Sequence, residues 1–129
     1  MIISINFDGT CVKNEYPETG EDCPGAINVL KRLTNNGHQL ILDTSRGGQL
    51  LDDAEQWFIN NDIPLWGIQE NPDLPNPNSK IRADLYINDL SLGAIITADF
   101  SNDFHNQISS RPYIDWIKVD DFISKVYGI

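Results

Sequence analysis

Short apolar runs alternating with amphipathic stretches predict an α/β fold, a three-layer, Rossmann-like parallel sheet covered by helices. Three observations carry that expectation. Ile2-Ile3-Ser4-Ile5, Leu40-Ile41-Leu42 and Leu85-Tyr86-Ile87 are short and apolar, as buried parallel strands are. Residues at helical spacing follow the first two runs. Each run also stops abruptly in polar residues, and open α/β sheets keep their sites at the carboxyl edge of the strands.

The 129 residues suit one domain, 1–129, large enough to bury about two-thirds of its unfolded surface. Nine basic against nineteen acidic side chains give a formal charge of -10. Such a surface repels nucleic acid and anionic lipid, and it suits a protein that gathers carboxylates around a divalent cation. No apolar run approaches the roughly 20 residues of a membrane span, and no basic leader marks a signal peptide. The expected location is the cytoplasm, with reduced thiols. Cys11 and Cys23 flank a polar loop and match no metal spacing, although a bridge between them is also compatible with the sequence.

In chain order, residues 11–22 form a polar loop with room for at most a small hairpin. Pro24 suits the first position of a helix. Ile27, Leu30 and Leu33 follow at helical spacing, and Asn35-Asn36-Gly37 stops the run. The second strand, over 40–42, ends in Asp43-Thr44-Ser45-Arg46. Gly47-Gly48 opens another helix, with Leu50, Leu51, Ala54, Trp57 and Phe58 on one face; Asn60-Asn61-Asp62 and Pro64 end it. A third strand over 65–68 precedes a loop broken by Pro72, Pro75 and Pro77. Lys80 stands just before the strand 85–87, which ends in Asn88-Asp89. Residues 94–98 read as a strand, and 101–112 fit a loop or a short helix. Val119, Phe122, Ile123 and Val126 define a last amphipathic helix, with Asp120 and Asp121 towards its positive end and Lys125 at its negative one. Trp57, Phe58 and Trp116 read as core, His38 and His105 as surface, and Asp43 as structural.

The handed crossover rule aligns successive strand ends, so Asn6, Asp8, Thr44, Arg46, Lys80, Asn88 and Asp89 are expected to converge on one crevice. Asp8 and Asp89, with the side-chain oxygens of Asn6 and Asn88, are hard ligands of the kind Mg²⁺ takes. The Thr44 hydroxyl and the Lys80 ammonium suit phosphoryl oxygens, and backbone N–H groups of residues 7–10 add donors. Metal, hydroxyl and cation together make the clamp that phosphoryl transfer needs. Taken singly, each residue has an ordinary explanation. Asp8 before Gly9 fits an Asx turn, and Arg46 fits an ion pair. Jointly they favour a site.

In this order and at these strand ends, the residues resemble the haloacid dehalogenase (HAD) superfamily of phosphohydrolases. Within it, the chain is similar to small predicted phosphatases of bacteria and their phages that lack a large cap domain. The resemblance covers residues 2–93, and the last helix more weakly. Asn6-Phe7-Asp8-Gly9-Thr10 stands where the family has Asp-x-Asp-Gly-Thr. Leu40-Ile41-Leu42-Asp43-Thr44 resembles the second motif, with Arg46 close behind; Lys80 resembles the third and Asn88-Asp89 the fourth. The resemblance implies that residue 6 is the nucleophile, forming an aspartyl-phosphate, and also a Mg²⁺ ligand. It implies that Asp8 protonates the leaving group and then activates water, while its carbonyl touches the metal. Thr44 and Lys80 would hold the phosphoryl oxygens, Gly9, Thr10, Ser45 and Arg46 would line the substrate, and Asp89 with Asn88 would complete the metal site. Mg²⁺ is the implied cofactor and a small phosphorylated metabolite the implied substrate. The loops 11–22 and 69–79 are too short for a large cap, which leaves an open site or a lid gained by oligomerisation.

The chain departs from the pattern at the nucleophile. A neutral amide at position 6 is no covalent nucleophile, and Asn88 removes a second negative charge from the same corner. The expectation is a protein that binds phosphate esters and hardly turns them over. Two origins fit: an engineered isosteric replacement that traps substrate, or a natural pseudophosphatase that binds a phosphate ligand or a protein. A receiver-type signalling module shares the length and layering. It needs its phosphorylated Asp after the third strand, where this chain has Ile68-Gln69 and then Glu70.

Overall fold

The computed structural model describes residues 1–76, 79–100 and 111–129. The opening run forms β1 (Ile2–Ile5), which lies inside a four-stranded parallel sheet with β2 (Gln39–Leu42), β3 (Gly67–Ile68) and β4 (Leu85–Ile87), in the order β3-β2-β1-β4. Helix α1 (Ala26–Asn35) connects β1 to β2, and α2 (Gly48–Asn60) connects β2 to β3. A two-stranded antiparallel pair, β5 (Ile96–Thr97) and β6 (Tyr113–Ile114), precedes α3 (Trp116–Tyr127). This is the expected α/β class, a small Rossmann-like fold.

Register decides what meets at the edge. Ile5 pairs with Leu42 on one side and with Ile87 on the other. Three strands therefore end level, and Asn6, Asp43 and Asn88 leave the sheet side by side. Because β1 and β2 are covered on both faces, Leu40, Ile41 and Leu42 are all fully buried, without the alternation of a half-exposed strand. The core joins Ile3, Ile5, Leu30, Leu33 and Leu40 to a triad of rings, Phe7, Trp57 and Phe58. Their centroids lie 4.9 to 6.2 Å apart, with the Trp57–Phe58 pair edge-on.

Several boundaries differ from those expected. Pro24 lies outside α1, whose N-cap is Gly25 at φ 86°, a left-handed turn that Pro24 precedes rather than starts. β3 is two residues long rather than four, because only Gly67 and Ile68 pair with β2. β5 covers 96–97 of the expected 94–98, and β6 follows directly on the stretch 101–112 read as a loop or helix, at two residues for which no strand is expected. Residues 101–110, His105 included, lie outside the described residues. In α3, Trp116, Val119 and Ile123 are buried, whereas Phe122 and Val126 are 46% and 57% exposed. The apolar stripe of this helix is wider than the surface that covers it. Residues 11–22 do form a small hairpin, through a bridge between Val12 and Asp22. Cys11 and Cys23 are buried free thiols at its neck. Among the described residues no helix is long and apolar enough to cross a membrane.

Trp116 fastens α3 to the first loop, its indole N–H donating to the Thr10 carbonyl at 2.7 Å. Both residues are buried. Trp116→Phe keeps most of the apolar contact but orphans that carbonyl, and a loss of about 1–3 kcal/mol is expected in urea denaturation.

His38 occupies the turn between α1 and β2, where the Met1 amino group donates to its Nδ1 at 2.8 Å. Burial, then the charge of that amino group, hold the imidazole below its ordinary value near 6.5. The unfolded chain therefore takes up this proton first as pH falls. Stability contributed by neutral His38 should decline as pH drops through about 6.5 and level off below the folded-state value. His38→Gln should flatten that part of a melting-temperature profile against pH.

Candidate functional site

The ladders run on past the strands. Asn6 N–H donates to Ile87 O at 3.1 Å, and Asp43 N–H donates to Ile5 O at 2.9 Å. The chain then folds back sharply. Thr10, Cys11 and Val12 N–H all donate to Phe7 O, at 3.1, 2.8 and 3.3 Å, and Gly9 N–H donates to Val12 O at 2.7 Å. Those groups are spent within the turn, so the expectation that Gly9 and Thr10 offer backbone donors to a ligand is corrected. Gly9 is required here twice over. Its φ is +80°, and a Cβ would stand 2.2 Å from Asp89 Oδ2.

That close approach brings the end of β4 against the first loop. Asn6 Nδ2 donates to Asp89 Oδ1 at 3.0 Å and to Asp8 O at 3.1 Å. The hydroxyl of buried Thr10 also donates to Asp89 Oδ1, at 3.3 Å. Asp8 turns the other way. Its two oxygens take Arg46 Nε at 2.7 Å and Nη2 at 2.8 Å, a bidentate pair. The Arg46 side chain is fully buried and that of Asp8 is 12% exposed. Nη2 donates again to Glu18 O at 2.8 Å, and Nη1 to Leu50 O at 3.4 Å. The rings of Phe7 and Tyr16 lie 5.0 and 5.4 Å from the guanidinium carbon. The hydrogen bond to Asp8 holds the guanidinium above its ordinary value, against the opposing effect of burial.

The turn that carries Arg46 is held by a residue that sequence reasoning missed. Gln69 follows β3 with φ 63°, uncommon for a residue with a side chain. Its Oε1 accepts Thr44 N–H at 2.9 Å, and its Nε2 donates to the carbonyls of Thr44 and Arg46. One side-chain amide thus prolongs the β2–β3 ladder for which β3 is too short. Its only trace in the sequence is a long amide directly after a short strand. Tyr16 and the Glu18 carbonyl were missed for a similar reason, as parts of a loop read only as polar.

The structure therefore joins Asn6, Asp8, Gly9, Thr10, Arg46 and Asp89 directly. Thr44 enters through its Oγ1, which accepts Arg46 N–H at 3.2 Å and so closes the turn. Ser45 is exposed, and no hydrogen bond or ion pair ties it to the cluster among the described residues. Asn88 is also exposed, its Oδ1 accepting Leu90 N–H at 2.9 Å in an Asx turn. Lys80 is the main correction. It precedes β4, as the sequence order has it, and so stands at the opposite end of that strand from Asn88 and Asp89, with its ammonium 4.2 Å from the centre of the Tyr86 ring. Among the described residues it makes no ion pair with Asp8 or Asp89. Lys13, near the same loop, is committed to Asp99 at 2.7 Å; Asp99 also accepts the Tyr113 hydroxyl at 2.7 Å. Burial drives the thiol of Cys11 well above its ordinary value and pushes that of Cys23 up to about 12, so both are weak nucleophiles.

As a divalent-cation site the cluster fits poorly. Both oxygens of Asp8 serve Arg46, the amide nitrogen of Asn6 faces the carbonyl of Asp8 and the carboxylate of Asp89, and Asn88 serves its own turn. Among the described residues no group of three or more His, Cys, Asp and Glu is placed to hold a metal. What remains is a compact polar cluster with one carboxylate, Asp89, held by neutral donors.

Fold and cluster together define a small α/β protein with its polar centre at the carboxyl edge of a parallel sheet. Among solved structures the chain is similar to a conserved protein coded by a locus of Bacteroides thetaiotaomicron. Identity is 32% over 97% of this chain and 90% of that one, with a TM-score of 0.71. The chain belongs to the family of that conserved protein. No protein-family model and no curated protein matches it.

Arg46→Met leaves the mostly buried Asp8 carboxylate without its partner, and a loss of about 3–5 kcal/mol is expected in urea denaturation. The double change with Asp8→Leu should recover much of that loss, because the uncompensated charge goes too. Losses that simply add would show that the pair is not coupled.

Proposed function

We propose that the chain is a HAD-like phosphohydrolase scaffold without its nucleophile, a protein that takes phosphate esters at the carboxyl edge of the sheet and hardly turns them over. The observation that carries this reading is the position of Asn6. It directly follows the interior strand β1 and lies within hydrogen-bond reach of both Asp89 and the Asp8 carbonyl. Asp8, Gly9 and Thr10 follow as in the first motif the sequence resembles, and Thr44 and Arg46 arrive from the next strand as in the second. An amide there has no charge with which to attack phosphorus. Asp8, with both oxygens on Arg46, has none free for a leaving group until that pair opens. The Thr44 hydroxyl is the group suited to a phosphoryl oxygen, whereas the Arg46 guanidinium is committed to Asp8, Glu18 O and Leu50 O. With Asp at position 6, Mg²⁺ would offset the added charge and polarise the phosphoryl group.

The surface favours a small phosphorylated metabolite over a polymer, since nineteen acidic against nine basic side chains repel nucleic acid. A cytoplasmic location fits the two reduced thiols.

The test compares the unaltered chain with Asn6→Asp on a generic aryl phosphate in Mg²⁺. The unaltered chain should stay at background. Asn6→Asp should gain metal-dependent release by about 100-fold or more, the scale of restoring an activated group. The unaltered chain should also gain thermal stability from inorganic phosphate. A folded Asn6→Asp protein that stays inert sinks the reading for that substrate class, and fast turnover by the unaltered chain would show that water attacks instead.

A further inference from the structure

The Asn6 amide does more than fill the space of an aspartate. Its nitrogen carries two hydrogens, and both are used, one on Asp8 O at 3.1 Å and one on Asp89 Oδ1 at 3.0 Å. Both neighbours are acceptors, so the nitrogen must face them and not the oxygen. Under the phosphohydrolase reading, on which this inference rests, those two oxygens are the ones a divalent cation would share with residue 6. We propose that the Asn6 amide takes the place of the cation in this chain, so that the cluster is complete without metal and the folded protein needs none.

The surrounding contacts agree with that assignment. Asp89 Oδ1 receives a second donor, the Thr10 hydroxyl. The carboxylate of Asp8 is neutralised by Arg46, and the Asn88 oxygen is engaged by Leu90 N–H. A metal could enter only if the amide rotated, breaking both of its hydrogen bonds to turn its oxygen inward. The entering ion would then meet a single carboxylate without a bidentate partner, that of Asp89. Mg²⁺ gives up its water reluctantly, and one carboxylate with no substrate phosphate offers little in exchange. An aspartate at position 6 inverts this balance. Two carboxylates would then face each other at hydrogen-bond distance, the Asp8 carbonyl would lose its donor, and a cation would supply what the amide supplied.

The test uses the full chain and its Asn6→Asp variant, melted in EDTA and then in rising millimolar Mg²⁺ at matched ionic strength. The unaltered chain should melt at the same temperature throughout. Asn6→Asp should melt lower in EDTA by about 5 °C or more and recover along a saturable curve. Asn6→Asp combined with Asp89→Asn should lose that recovery, which separates a local site from general screening of an acidic protein. A saturable rise in the unaltered chain, or an Asn6→Asp variant as stable in EDTA as the unaltered chain, overturns the proposal. Should the variant fail to fold, titration calorimetry of Mg²⁺ into the unaltered chain still decides, since a saturable binding heat there overturns it and its absence supports it. These outcomes stand apart from catalysis: a variant that recovers with Mg²⁺ yet releases no aryl phosphate counts against turnover of that substrate class and leaves the exchange of amide for cation in place.

Discussion

A buried guanidinium, bound by both arms to one carboxylate, holds the working edge of this protein together. Removing Arg46 and Asp8 from water costs several kcal/mol per ion before any attraction is counted. The pair is tolerable because its geometry is bidentate and the remaining hydrogens find carbonyls, Glu18 O and Leu50 O. The partners of Arg46 come from three places: the loop after β1, the first turn of α2 and the 11–22 hairpin. Tyr16 and Phe7 close the faces of the guanidinium. Two neighbouring features are consequences of the pair. Gln69 must brace the turn that presents Arg46, and the hairpin must lie down over it.

The other half of the site is organised around a single negative charge. Asp89 lies so close to the first loop that position 9 admits only glycine. Its Oδ1 is held by one amide and one hydroxyl, both neutral. The protein as a whole is strongly acidic, yet its polar centre is sparing with carboxylates. Two amides, Asn6 and Asn88, stand where the resembled motifs carry acids. On the proposed reading, this would be the scaffold of a metal-assisted phosphoryl site with much of the charge that would call for a metal removed. Relatedness to a conserved Bacteroides protein over nearly the whole chain establishes the fold's lineage and leaves chemistry to the site itself.

Much of the fold and part of the site could be read from the residues. Ile2–Ile5, Leu40-Ile41-Leu42 and Leu85-Tyr86-Ile87 are strands because short, uninterrupted apolar runs have few other uses in a chain this size. Their polar ends converge because parallel strands with right-handed crossovers leave no alternative. Asn6, Asp8, Thr44, Arg46 and Asp89 were therefore placed correctly as a group. Lys80 was not, because sequence order says that it adjoins a strand and is silent on which edge its side chain serves.

Local chemistry along the chain thus determined the class of fold, the order of its elements and the amide at position 6, since periodicity and residue identity are properties of short segments. Tertiary structure alone decided the partnerships. That Arg46 would spend itself on Asp8, that Gln69 would finish a ladder with its side chain, and that the Asn6 amide would bridge two oxygens from residues 8 and 89 all depend on distances between segments far apart in sequence. Hydrogen bonds and ion pairs are decided within a few tenths of an ångström. Only the packing of the whole sheet sets positions that finely.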